Sequence, residues 1–159
     1  MRKKTKIISI ACVMTLMLSM LGVGMNAQAE ENLPQIDGSY LTHDDESIGY
    51  DTKITRGEDL LTGYSKCVRL ANGNLYVGGT TIATQTVERV GVGVIVERAQ
   101  EGDEAWEHYD GWTKFNENAD KVSSNQQMDV EGGYYYRVRC LHSANDDVSS
   151  SFTDGIYIE

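Results

Sequence analysis

Beyond its first six residues this chain is short of positive charge. Lysine and arginine number 14 against 24 aspartates and glutamates, a net charge of −10 over 159 residues. Four of those cations are Arg2, Lys3, Lys4 and Lys6. A chain this acidic repels phosphate backbones, which excludes nucleic acid and anionic membrane surfaces as electrostatic partners. Histidine is scarce too. His43, His108 and His142 are the only three, and none stands in the H-E-x-x-H or H-x-H spacing of a metal site. They read as surface or strand-end residues, His142 bonding loop carbonyls. The many serines lack a G-x-S-x-G elbow. The acidic loops Asp44-Asp45-Glu46, Asp103-Glu104 and Asn145-Asp146-Asp147 lack a calcium-binding D-x-[DN]-x-[DN]-G frame and read as solvated turns. No catalytic residue, metal or cofactor is expected.

The one long apolar run is Ile7–Val23. Basic residues precede it and Ala27-Gln28-Ala29 follows, the pattern of a secretory signal peptide over 1–29, cleaved after Ala29. The run is short for a membrane span of about 20 residues. An exported, extracellular protein without an anchor is expected. Cys12 leaves with the leader. Cys67 and Cys140 remain, and an even count outside the cell favours a disulfide.

What is present is strand pattern. Residues 30–62 are acidic, carry the only proline, Pro34, and sustain no alternation; they read as a largely irregular arm. A single domain then spans 63–159. Lys66–Ala71 and Asn74–Gly79 flank Asn72-Gly73, a two-residue type I′ hairpin signal. That turn pairs Leu70 with Leu75 and Val68 with Val77, and turns Cys67 away from the apolar face. Compartment therefore favours a Cys67–Cys140 bridge and register opposes it. Residues 80–87 extend the second strand or bend into the next. Glu88–Arg98 alternates Val90, Val92, Val94 and Val96 against Gly91 and Gly93, a central strand whose glycines leave room for a neighbouring backbone or a large side chain. Trp106–Phe115 follows, with a bulge or twist near Asp110-Gly111. Asn116–Asp120 reads as a turn, Lys121–Val130 as a strand and Ser143–Ser151 as a loop. Phe152–Glu159 is the last strand.

Gly132–His142 is the strongest strand. Its period of two places Tyr134, Tyr136, Val138 and Cys140 on a core face, and Tyr135, Arg137 and Arg139 on an outward one. About seven short strands with turns between them indicate an all-β, antiparallel sandwich. Tyr135, Arg137, Arg139 and Tyr109 are the candidate ligand-binding residues, as outward aromatics and cations on an acidic protein; the other reading of Arg137 and Arg139 pairs them with acidic side chains on neighbouring strands.

The run Tyr134–Ser143, with Thr153-Asp154-Gly155-Ile156, Trp106, Trp112 and the strand from Thr86 to Arg98, resembles a family of small exported proteins of Gram-positive bacteria whose function is unknown. The resemblance covers most of 63–158. It implies an immunoglobulin-like sandwich outside the cell and carries over no active residue. The expected function is a secreted, non-catalytic binding module for a cell-wall glycan or a surface protein. The alternative is a small secreted hydrolase using acidic residues.

Overall fold

A computed structural model describes residues 33–51 and 57–159; the expected leader, residues 1–29, lies outside them. The described chain is all-β. Its strands are β1 (Gln35–Ile36), β2 (Ser39–Thr42), β3 (Glu46–Tyr50), β4 (Leu60–Arg69), β5 (Leu75–Ala99), β6 (Glu107–Met128), β7 (Tyr134–Ala144), β8 (Asp147–Phe152) and β9 (Gly155–Ile158). They form one sheet ordered β1-β2-β9-β7-β5-β4-β3, with β6 on β5 and β8 on β7.

The sheet is organised by a long hairpin. β5 runs 25 residues and β6 runs 22. The first half of β5 pairs with β4 and its second half with β7, while β6 follows it throughout. Their register slips between Ile82 and Val87. The expected turn at Asn116–Asp120 is instead this bend, crossed by one continuous strand with Asn118 at φ +48°. Trp112 Nε1, Lys114 Nζ and Asn116 Nδ2 donate from one arm of β6 to Ser124 Oγ, Ser123 O and Lys121 O on the other. The bonds to Ser123 O and Lys121 O occupy backbone acceptors of the kind an edge strand otherwise leaves open. The expected irregularity near Asp110-Gly111 is present as a slip between Val96 and Glu97, where Tyr109 is the extra residue.

The curl brings β4 against β7 and β8. Gly63 lies against the His142 ring and Gly79 against Cys140 Sγ; a Cβ at either position meets the opposing side chain. Between them lies the main core, with Val90, Val92, Val94, Val96, Tyr136 and Val138 sealed. Each such valine contributes about 1.5–3 kcal/mol by leaving water. The alternation read from both strands therefore holds.

Three expectations change. The arm is not largely irregular: it forms β1, β2 and β3, and β2 lies parallel to β9 in an otherwise antiparallel sheet. Ser143–Ser151 is the end of β7, a two-residue turn with Asn145 at φ +50°, and most of β8. The β4–β5 hairpin is also one residue longer in its loop. Gly73 N donates to Leu70 O, Leu70 N donates to Asn74 O, and Gly73 sits at φ +82°. This is a three-residue loop closed by a left-handed glycine. The pairing becomes Arg69 with Leu75 and Cys67 with Val77. A one-residue slip reverses every side chain, so Cys67 points into the core and Val68 out.

Both cysteines are buried and free. Cys67 Sγ faces Tyr136 O at 3.8 Å and Cys140 Sγ faces Gly78 O at 3.7 Å. The bridge that compartment favoured and register opposed is not formed, although the corrected register turns both cysteines inward. Burial pushes both thiols up to about 12, so neither is a thiolate nucleophile at neutral pH.

Candidate functional site

β7 places Tyr135, Arg137 and Arg139 on one face, as its alternation requires. That face is not open. Tyr135 packs with Ile36, Leu41 and Ala99 in a second small core, and Trp106 Nε1 donates to Ile36 O at 2.8 Å. Arg137 is 2% exposed. Its Nε donates to Glu97 Oε2 at 2.8 Å, its Nη2 to Asp37 Oδ2 at 2.9 Å, and its Nη1 to Ser39 Oγ at 3.0 Å. Trp106 and Phe152 flank the guanidinium at 4.7 and 5.6 Å. The expected stripe is a clamp for the N-terminal arm. Tyr109 belongs elsewhere: it stacks edge-on against Tyr136 at 5.3 Å, packed on the main core. The four candidate residues therefore do not make one site. Arg139 is half-exposed and bonded to Glu97 Oε1 at 2.6 Å; its Nε is buried with no hydrogen-bond partner among the described residues.

The same outer face, further along, is open. A trough of about 520 Å³ crosses β6, β5, β7 and β8. Register builds it row by row. Phe115, Gly91, Ser143 and Val148 form one row, and Thr113, Gly93, Leu141 and Ser150 the next. The two glycines are the floor. Phe115, Leu141 and Val148 are the walls, 45%, 53% and 55% exposed. The Phe115 ring lies over Gly91, where a Cβ would stand 2.5 Å from a ring carbon. At Gly93 a Cβ would meet Thr113 Oγ1 at 3.5 Å, an ordinary contact. Arg89 caps the Phe115 ring at 3.7 Å, and Arg139 stands one row beyond Leu141. Alternation shows that Gly91 and Gly93 leave room, but the walls carry no signal in the sequence, where Leu141 and Phe115 are ordinary strand residues.

Beneath the trough, His142 is sealed in the interior. It bonds hydroxyls and not the loop carbonyls expected of it. Thr81 Oγ1 donates its only proton to Gly91 O at 2.8 Å and so accepts from His142 Nδ1, also at 2.8 Å. His142 Nε2 then accepts from Ser151 Oγ at 2.8 Å. Desolvation lowers the imidazole pKa to about 4, against the opposing pull of Asp51. Ser151 is 1% exposed, so this serine–histidine contact lacks a path for substrate.

Loop acids serve the loops. Asp147 Oδ2 accepts from Asp59 N and Leu60 N, and Asp45 accepts from Arg69. Among the described residues no group of three or more acidic, histidine or cysteine side chains is placed to hold a metal ion. No protein-family model, curated protein or solved structure matches the chain.

Proposed function

We propose that the protein is an exported, non-catalytic binding module of immunoglobulin-like sandwich type, acting outside the cell. Its ligand is an extended, apolar segment of a protein partner, held in the trough. One observation carries this reading: three large apolar side chains stand exposed around a two-glycine floor. Exposed apolar surface gathered in a concave site marks a binding surface more than scattered residues do. The lining offers serine and threonine hydroxyls but no carboxylate or amide side chain. That composition favours hydrocarbon side chains over a sugar, whose hydroxyls call for fixed polar partners. A trough lined by no carboxylate also weighs against the alternative of a hydrolase using acidic residues.

The test is a displayed library of extended peptides, with selected peptides titrated into the labelled protein. Backbone amide signals of Gly91 and Gly93 should shift saturably, and Leu141→Asp should abolish the shift while leaving the melt in place. Selected peptides that leave both glycine signals still, or that bind Leu141→Asp equally well, would overturn the assignment.

A further inference from the structure

We propose a second, chemically different binding surface on the outer face of β3, β4, β5 and β6, for a neutral glycan chain. Alternation turns Tyr50, Tyr64 and Tyr76 to this face, and register fixes their order. Tyr50 pairs with Tyr64, Lys66 with Gly78 and Asn125, and Tyr76 with Gln127. Tyr50 is 63% exposed, with its ring 6.0 Å from that of Tyr64 and tilted by 50°. Tyr76 lies opposite Val68, four residues along β4 from Tyr64, which separates the two aromatic stations by about 13 Å at strand rise. The span exceeds one pyranose ring. Gly78 keeps the middle of the platform low: a side chain there would collide with Asn125.

The groups present decide the ligand. Tyrosine offers an apolar ring face and a polar tip. A pyranose offers the complement, a C–H face with hydroxyls around its edge. Asn125 and Gln127 are exposed amides able to donate and accept at once. Charge narrows the choice further. Lys66 is the cation in the middle of this platform, and Glu46 pairs with it at 3.0 Å. The platform is thus self-neutralised on a chain of net charge −10. Stacking of nucleic-acid bases or of an anionic polysaccharide needs an electropositive track; the described residues of this face supply Lys121 at the edge, beside Ile82, and no continuous row of cations. A neutral polyol meets no such barrier.

The test uses the purified protein and three soluble probes: cellohexaose and chitohexaose as neutral chains, and oligogalacturonate as an anionic one. Titration followed by amide chemical shifts should give saturable changes at Tyr64, Gly78 and Asn125 with at least one neutral chain, and none with oligogalacturonate. Tyr50→Ala and Tyr76→Ala should each weaken binding by roughly tenfold, the loss of one stacking ring. Tyr50→Phe keeps the ring and should stay within a few-fold. Leu141→Asp, in the trough, should bind the glycan unchanged, which separates this surface from the peptide site. Absence of saturable shifts with both neutral chains, shifts confined to the trough, equal binding of oligogalacturonate, or a face occupied by a second copy in sedimentation would each overturn the proposal.

Discussion

Arg137 Nε and Glu97 Oε2 lie 2.8 Å apart with side chains 2% and 7% exposed, a sealed ion pair between β7 and β5. The pair also organises the arm. Arg137 reaches across to Asp37 and Ser39, while Glu97 accepts a second bond from Arg139. Two strands of the sheet and the β1–β2 turn thus share one charge network. A buried ion pair adds little net stability over apolar residues of the same shape, but breaking one partner leaves an uncompensated charge.

Glu97→Gln should therefore be among the costliest isosteric changes in the protein. It removes the buried negative charge that two guanidinium groups share, and a loss of about 3–5 kcal/mol is expected. Asp37→Ala removes an acceptor that is 73% exposed and should cost under about 1 kcal/mol. Urea denaturation of both variants measures the contrast. Similar small losses in the two would mean that the pair is solvated.

The main core was legible because period two is a local property. Val90 to Val96 and Tyr134 to Cys140 announce their inward faces without reference to any partner. What covers the other face was not legible. Tyr135 and Arg137 alternate outward correctly, yet Ile36, Leu41 and Trp106 close over them. That cover comes from an arm with strands of two and four residues, too short to show alternation. The β4 error was of another kind. Asn72-Gly73 signals a turn whether the loop holds two residues or three, and that single residue decides whether Cys67 or Val68 is inside. The trough needed tertiary knowledge too, since its walls come from three strands that only register brings together.

The thiols give a simple check. The protein without residues 1–29 carries two cysteines, Cys67 and Cys140, both buried and free. With burial holding each thiol pKa up at about 12, alkylation of the native protein at neutral pH should be negligible. Unfolding in denaturant without reductant should then add two alkyl groups by intact mass. A mass unchanged until reductant is supplied would place a disulfide there instead.

His142 predicts a dependence on acid. Folded, its pKa is lowered to about 4 by burial; unfolded, it returns to about 6.5. Between those values the unfolded chain binds the extra proton, so stability rises with pH. The contribution is complete above pH 6.5 and is lost as pH falls towards 4, by roughly 3 kcal/mol in all. Unfolding free energies at pH 7, 6 and 5 should fall in sequence. His142→Gln, which keeps hydrogen-bonding groups towards Thr81 and Ser151, should be flatter across that range even if less stable throughout. Parallel slopes in both proteins would show that the imidazole is not the group responsible.

Gly63 should be intolerant for a reason its own strand does not reveal. A Cβ there runs into the His142 ring, which is held at both nitrogens by hydroxyls and cannot swing aside without breaking one of them. Gly63→Ala is expected to cost about 1–3 kcal/mol through overpacking. A glycine needed only for flexibility would accept alanine with little loss, so a thermal melt separates the two explanations.

The two floor glycines of the trough should part company when substituted. Gly91 is covered by the Phe115 ring and lies 2.6 Å, measured from an added Cβ, from Ser143 Oγ. Alanine at 91 must shift that ring, which Arg89 caps at 3.7 Å, and a cost of about 1–3 kcal/mol is expected. At Gly93 the contacts of an added Cβ are 3.5 Å to Thr113 Oγ1 and 3.7 Å to Leu141 Cβ. Alanine fits there, and by restricting the unfolded chain it should stabilise by about 0.4–1 kcal/mol. The same methyl group raises the floor between Phe115 and Leu141. Gly93→Ala should accordingly melt no lower than the parent while binding a trough ligand less well, and Gly93→Val should block it further. Stability and binding thus move in opposite directions at one residue, an outcome that a glycine kept solely for folding would not produce.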